Sequence, residues 1–335
     1  MMRRTWILAA SCALSACSGV QNAAAGEGAE SARFVDLFTF FLVICAIMYL
    51  LVMTALVVAV WRRRRAPLTV EDRSHHQTSA LVTPALIAWI ALVVVGLTAL
   101  TVASFFTDRS NAADARKAAM TVKVTANQWW WDVEYASSDP SKTLRTANEI
   151  HLPVGIAVRV LLRSNDVIHS FWVPSLAGKQ DLIPGRTTDV QLLPRKIGLY
   201  RGQCAEFCGV QHTQMALDIT VESKADFQGW YAAQLKPAQA PATPLELAGY
   251  RYVTTRECSS CHNISGTPAG GQVAPDLTHF ASRRSIAAGT LPMAKGNLYG
   301  WIADPQSQKP GSHMPTVGLA PNELHAVVAY LERLK

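Results

Sequence analysis

Cys204-Ala205-Glu206-Phe207-Cys208-Gly209-Val210-Gln211-His212-Thr213-Gln214-Met215 is the stretch that decides what this chain must build, because it brings two thiols, an imidazole and a thioether onto one loop. Soft sulfur ligands with imidazole select copper, zinc or iron, and a Met among them is the weak axial ligand of copper electron-transfer centres. A structural zinc site asks for four strong Cys or His ligands, and its first Cys pair is typically spaced by about two to four residues, so the spacing alone leaves zinc open. No second Cys pair and no paired His follows at finger spacing, which favours copper. Such a loop needs a rigid scaffold, and a β-sandwich supplies one.

The sequence around the loop reads as that scaffold. Thr121-Val122-Lys123-Val124-Thr125 and Ile156-Ala157-Val158-Arg159-Val160-Leu161 alternate, with Gly and Pro between such runs, which predicts strands. Within this region lies Gln128-Trp129-Trp130-Trp131-Asp132-Val133-Glu134-Tyr135. Side chains alternate across a strand, so Trp129 and Trp131 share a face opposite Trp130, and at least one indole must reach a surface or a contact.

The remainder of the 335 residues divides on either side. Half of the chain is hydrophobic and only 16% charged, which points to membrane segments rather than an outsized core. Residues 37–60 and 81–106 hold no charge, and at ~1.5 Å per residue each exceeds a hydrocarbon core of ~30 Å. Arg62, Arg63, Arg64, Arg65 and Arg73 between them place that loop in the cytoplasm, so both flanks lie outside. These arginines, with Arg3 and Arg4, also account for much of the +7 charge, which excludes a nucleic-acid reading. The start, Met1-Met2-Arg3-Arg4 and an apolar stretch, has the layout of a secretory signal. Leu14-Ser15-Ala16-Cys17 resembles a bacterial lipobox, so residues 1–16 are expected to be cleaved and Cys17 lipidated, adding acyl anchors. An ordinary signal cleaved near Ala23 to Ala25 is the alternative.

Beyond a Pro/Ala-rich linker at residues 234–244, of the semi-rigid kind, comes Cys258-Ser259-Ser260-Cys261-His262. This is the c-type haem attachment motif: two thioethers to the porphyrin, and His262 as proximal iron ligand. Met as sixth ligand raises the haem potential into the electron-transfer range, and Met293 and Met314 are the candidates. Met314, in Gly311-Ser312-His313-Met314-Pro315, precedes a terminal amphipathic helix over residues 322–334, as the ligand Met does in the class I cytochromes c that this segment resembles.

The wider resemblance rests on Leu162-Arg163-Ser164-Asn165-Asp166-Val167-Ile168-His169-Ser170-Phe171-Trp172-Val173-Pro174, then Lys179, Asp181, Pro184-Gly185-Arg186, Tyr200-Arg201-Gly202-Gln203 and the copper loop. Over about residues 30 to 235 the chain resembles subunit II of the haem–copper cytochrome c oxidases. The resemblance implies a multidomain membrane protein: a two-helix transmembrane hairpin (residues 34–107), an all-β cupredoxin-like sandwich (118–233), the linker, then an all-α class I cytochrome c domain (245–335). It implies the dinuclear copper centre called CuA, bridged by Cys204 and Cys208, with His169 and His212 each on one copper. Met215 and the carbonyl of Glu206 are then axial, and the Glu206 carboxylate reaches a magnesium or manganese ion shared with subunit I. Trp129 matches the family's point of electron input from cytochrome c.

What the resemblance implies for function is the electron-input subunit of a proton-translocating cytochrome-c oxidase of the respiratory chain, with oxygen chemistry in a partner. Its partners would be subunit I and the other oxidase subunits, a donor cytochrome c, and copper and haem c assembly factors. Its place would be the bacterial cytoplasmic membrane, with two spans and both metal domains outside. Two other readings stay open: subunit II of a CuA-containing nitric oxide reductase, and a free-standing membrane-anchored electron carrier. One departure stands out: Gln77 occupies the position where the family carries a Glu near a proton pathway, and the Trp-Thr pair before Pro84 is missing. All seven cysteines have fates without a disulfide: Cys12 in the signal, Cys17 on lipid, Cys45 in the membrane, two on copper and two on haem.

Overall fold

The computed structural model describes residues 19–65, 82–116 and 118–335. The signal-type start with Cys12 and Cys17, and the loop with Arg73 and Gln77, lie outside the described residues. The chain forms two units, residues 33–113 and the residues flanking them.

The first unit is a pair of helices, α1 (Ala29–Arg65) and α2 (Val82–Ala115), of 37 and 34 residues. At ~1.5 Å per residue both are longer than a bilayer core requires. Within α2, Thr98 and Thr101 each donate at 2.8 Å to the carbonyl four residues back, the pairing that suits a lipid setting. Arg33 donates to Asn111 at 2.7 Å and ties the two helices near their outer ends. The arginines at residues 62–65 close α1, where cations also suit the helix dipole.

The second unit begins with ten strands: β1 (Met120–Asn127), β2 (Trp130–Tyr135), β3 (Leu144–Ala147), β4 (Glu149–Pro153), β5 (Val158–Ser164), β6 (His169–Trp172), β7 (Gln180–Leu182), β8 (Thr188–Leu192), β9 (Gly198–Cys204) and β10 (Ala216–Glu222). They form two five-stranded sheets, β3-β2-β1-β5-β8 and β4-β10-β9-β6-β7. The alternation that predicted strands is what buries one face of each: Val122, Val124 and Ala126 of β1 meet Leu217, Ile219 and Val221 of β10 in one apolar core. Trp131 of β2 is fully buried in that core and Trp129, just before the strand, joins it, while Trp130 is half-buried.

A segment the sequence did not foretell packs on this sandwich. Glu27 and Gly28 both donate backbone N–H to the Ser175 carbonyl at 3.1 Å, and the backbone comes so close at Gly28 that a Cβ there would lie 2.0 Å from the Leu176 oxygen. The Glu27 carboxylate accepts from Tyr200 at 2.6 Å and from Lys196 at 3.0 Å. The Tyr200 hydroxyl, against some cost of burial and with help from Lys196, holds the Glu27 carboxyl below the ordinary glutamate value. A depressed carboxyl contributes stability that is present above the unfolded value and is lost as pH falls through the folded one. Glu27→Gln is therefore expected to flatten the acid limb of unfolding between about pH 5 and 3, at a loss of a few degrees in Tm near neutrality. Thermal scans against pH check this, and an unchanged acid limb would refute it.

The chain continues through α3 (Lys224–Gln234), α4 (Pro244–Thr255), α5 (Glu257–Cys261), the short ribbon β11 (Ser285–Ile286) and β12 (Leu291–Pro292), α6 (Lys295–Ala303), α7 (Pro305–Gln308) and α8 (Pro321–Arg333). The carboxyl-terminal domain is thus helical except for one ribbon, which the all-α expectation did not contain. Helix α4 starts on a full capping box, Thr243 with Glu246, and Pro244 fills its first turn. It crosses α8 at Gly249, where a Cβ would sit 2.0 Å from the Ala326 oxygen, so only glycine permits the crossing. The segment read as a spacer is laid on this domain: Ala238 donates to the Ser265 carbonyl at 2.9 Å, and His279 reaches the Lys236 carbonyl at 3.0 Å.

Candidate metal and haem sites

Strand pairing assembles the copper loop. β6 and β9 are antiparallel neighbours with Phe171 opposite Cys204, which brings His169 at the start of β6 beside Cys204 at the end of β9. β9 also pairs with β10, and Cys204 N–H donates to the Met215 carbonyl at 2.9 Å, so residues 205–215 form a closed loop between two anchored strands. Within it the Cys204 and Cys208 sulfurs are 3.7 Å apart. His169 Nδ1 lies 3.8 Å from the Cys204 sulfur and His212 Nδ1 lies 3.7 Å from that of Cys208. The Glu206 carbonyl is 3.1 Å from the Cys204 sulfur, and the Met215 sulfur 3.9 Å from that of Cys208.

Six donors therefore converge, which exceeds the four of one tetrahedral zinc ion. Their soft character and the thioether suit copper, and two thiolates with an imidazole beyond each suit two ions sharing both sulfurs. The residues fit a dinuclear copper centre. The contact between the two thiols sets them apart: Cys204 is held far down, first by its hydrogen bond with Cys208 and then, against burial, by His169. Cys208 is pushed up by the same contact and by burial.

The sequence left one supporting residue unassigned. Asp166 bonds His169 Nε2 at 2.8 Å, fixing the ring so that Nδ1 faces sulfur, the usual way an outer carboxylate orients a ligand imidazole. Burial opposes the charged ring, but Cys204 and Asp166 on its two nitrogens hold His169 above its usual value. The signal was available as an Asp three residues before His169. The Glu206 carboxylate is half-exposed and lies 4.0 Å from Lys179.

The haem motif sits on a second centre of the same unit. Cys258 and Cys261 are on α5, and His262 ends it. A cavity of about 400 Å³ is lined by Cys258, Cys261, His262, Met314, Ile302 and Leu331, among others. Met314 lines it and Met293 packs instead in the surrounding core. The His262 ring is anchored by Nδ1 on the Pro275 carbonyl at 2.7 Å, which leaves Nε2 free. Burial lowers its affinity for a proton and favours the neutral, ligating form. Largely apolar walls, two thiols, one oriented imidazole and one thioether fit a covalently held c haem.

The two centres share a boundary. Trp129 and Trp130 line the same cavity. The Trp129 indole N–H donates at 2.9 Å to the carbonyl of Cys208, and Gln128 donates to that carbonyl at 2.8 Å. His313 is exposed and places its ring 5.9 Å from that of Trp129. Sequence reasoning missed two buried cations at this boundary. Arg283, on the cavity wall, lies 3.6 Å from Glu149 of β4 and donates to the Asp276 carbonyl at 2.6 Å. The Lys309 ammonium donates to the carbonyls of Trp129, Gln214 and Ala287 at 2.9, 2.8 and 2.9 Å. Burial pushes Lys309 down to about 7, while three carbonyls for three N–H bonds favour the ammonium.

Comparison with known proteins agrees with both centres. Residues 137–223 match the family model for the cytochrome c oxidase subunit II periplasmic domain, and residues 247–335 match that for cytochrome c. Cytochrome c oxidase subunit 2 of Alkalihalophilus pseudofirmus is 29% identical over 327 residues, which cover 96% of this chain and 94% of that relative. The Bacillus subtilis protein of that name is 31% identical over 228 residues, 65% of this chain and 63% of its own length. Among solved structures, the periplasmic domain of subunit II of cytochrome oxidase from Bradyrhizobium japonicum is 31% identical and covers 35% of this chain and 94% of its own, with a TM-score of 0.33. With one family matched on the sandwich, a second on the haem domain, and a relative aligned from end to end, the chain belongs to the cytochrome c oxidase subunit II family and carries a cytochrome c domain at its carboxyl end.

Proposed function

We propose that this chain is the electron-input subunit of a terminal oxidase, accepting electrons from a donor cytochrome c at its haem domain and delivering them, through the copper loop, to the oxygen-reducing haem–copper centre of subunit I. One observation carries the reading: Trp129 lines the cavity of the haem motif and hydrogen-bonds the backbone of Cys208 at 2.9 Å. When bound, the haem and the copper pair supply one-electron redox chemistry with little change of geometry.

The chain's own residues do the positioning. Cys204, Cys208, His169, His212, Met215 and the Glu206 carbonyl would hold the pair of coppers. The half-exposed carboxylate of Glu206 is the group we assign to a magnesium or manganese ion shared with subunit I. Cys258 and Cys261 would tether the porphyrin, with His262 and Met314 on its iron. Trp129 is 8% exposed, so the haem domain covers the indole that would otherwise receive an external donor, and input passes to the haem domain. The hairpin anchors the subunit in the bacterial cytoplasmic membrane, with both metal domains outside and with copper and haem c assembly factors as partners before the oxidase is complete.

Purification of the full chain with its partners in mild detergent tests this. Two coppers with a mixed-valence EPR signal, one covalent c haem and a co-purifying polytopic oxygen-reducing subunit are expected. Met314→Ala should lose the sulfur-to-iron absorption band while Met293→Ala keeps it. Zinc in place of copper, a nitric-oxide-reducing partner, or no polytopic partner would overturn the reading.

A further inference from the structure

The buried lysine at the boundary between the two metal-bearing domains has no part in either ligand set. Lys309 is 2% exposed, and among the described residues no carboxylate lies within ion-pair distance of it. A lysine in that position would ordinarily be replaced by an apolar residue, because burying an unpaired charge is costly. Here all three N–H bonds are used, and their acceptors are divided between the domains: Trp129 and Gln214 belong to the sandwich, Ala287 to the haem domain. Both sandwich acceptors adjoin the copper loop. The indole of Trp129 holds the Cys208 carbonyl, and Gln214 is bonded in sequence to Met215.

The surrounding contacts run the same way. Ala216, next after Met215, donates its N–H to the Ala288 carbonyl at 2.9 Å, and Arg201 reaches the Gly289 carbonyl at 3.1 Å. Residues 287 to 289 have φ of 53°, 58° and 75°, a run of left-handed backbone that turns these carbonyls toward the sandwich. On the other side of Lys309, Gln211 of the copper loop donates to the Pro310 carbonyl at 2.6 Å. Among the described residues, the lysine is the only charged member of this seam that reaches both Trp129 and the end of the copper loop.

We propose that Lys309 is the positioning residue that locks the haem domain onto the copper loop, holding Trp129 and residues 214–216 in register with the haem cavity. The proposal rests on the electron-relay reading for its consequence, but the lock is a property of the protein alone. Three charge-assisted bonds fix three backbone points whose relative placement sets the gap between the centres. Removing the ammonium takes the lysine's donor from the Trp129 carbonyl, leaves the Gln214 and Ala287 carbonyls only the Thr290 hydroxyl at 3.4 and 2.7 Å, and frees the haem domain to open about the linker.

The test uses the full complex carrying Lys309→Met, which keeps the length of the side chain without its donors, and Lys309→Gln, which keeps two donors. Optical and EPR spectra report whether haem and copper are in place. Hydrogen exchange at the Ala216 amide is expected to quicken at least about tenfold in Lys309→Met and less in Lys309→Gln. Flash-initiated electron transfer from haem to copper should slow at least about tenfold, while reduction of the haem by an external donor keeps its rate. If Lys309→Met does not assemble, the graded response is read from Lys309→Gln. Wild-type exchange and transfer in a variant with both spectra intact would overturn the proposal. Absence of the copper signal from the wild type would instead defeat the relay reading, and the exchange measurement would still decide the lock.

Discussion

Cys208→Ser is expected to remove the mixed-valence copper signal, reduce copper from two ions to one or none per chain, and lower oxidase turnover by more than about 100-fold. The magnitude follows from comparison with lesser changes: altering a group that only orients a ligand typically costs about 10–100-fold in metal affinity or activity. In the proposed centre Cys208 would be a ligand itself, and it touches three of the other donors. Its sulfur lies 3.7 Å from that of Cys204, 3.7 Å from His212 Nδ1 and 3.9 Å from the Met215 sulfur. A serine hydroxyl is a hard, protonated oxygen at neutral pH and cannot bridge two soft ions. The fold should survive, since the hydroxyl is smaller than the thiol and the loop stays closed by the Cys204 to Met215 bond. The haem should still bind and accept electrons, so it would remain reduced during turnover. Metal analysis, EPR and steady-state optical spectra check each part, and two retained coppers would refute it.

The second large effect is on folding. Replacing Cys258 and Cys261 together by alanine is expected to leave the carboxyl-terminal domain without a persistent fold. The haem motif surrounds a cavity of about 400 Å³. An unfilled apolar cavity costs about 24 cal/mol per Å³, so this one left empty would cost about 10 kcal/mol. A whole domain is stable by only about 5–15 kcal/mol. The cavity is open on one flank, so water would enter and reduce that cost, yet a large part of the domain's margin would still go. Without the proposed thioethers, haem would be retained only by His262 and Met314, the ligands we assign, and by the apolar walls. Far-ultraviolet circular dichroism and limited proteolysis should show loss of α4 to α8 while the sandwich and its copper persist. A protease-resistant haem-free domain would contradict this.

How much of this could be read from the chain depended on the range over which each feature is encoded. The copper loop and the haem motif are local: their ligands fall within a few residues, so spacing alone pointed to metal and to haem. The strands of the sandwich were legible from alternation and the hairpin from two uncharged runs. His169 is another matter, since it stands 35 residues before Cys204 and joins it only through the pairing of β6 with β9. Nothing in its neighbourhood marks it as a ligand without the family resemblance. Met314 and Met293 could not be separated by composition, and it took the cavity to set one on its wall and the other in the core. Lys309, Arg283 with Glu149, and the packing of Glu27 against Tyr200 are encoded by contacts across most of the chain. Each reads locally as an ordinary surface charge. The ribbon of β11 and β12 was equally hidden, because its strands are two residues long and their pairing serves the contact with the sandwich.

The burial of Trp129 beneath the haem domain changes the kind of kinetics this protein can show. A surface tryptophan met by a diffusing donor works in proportion to donor concentration, and its rate falls as salt screens the encounter. A donor held on the same chain delivers at an effective concentration fixed by geometry, however dilute the solution. Under the proposed relay, the step into the copper loop would be first-order and insensitive to ionic strength. Dependence on donor supply and on salt would then move outward to whatever surface the haem domain shows to its own donor.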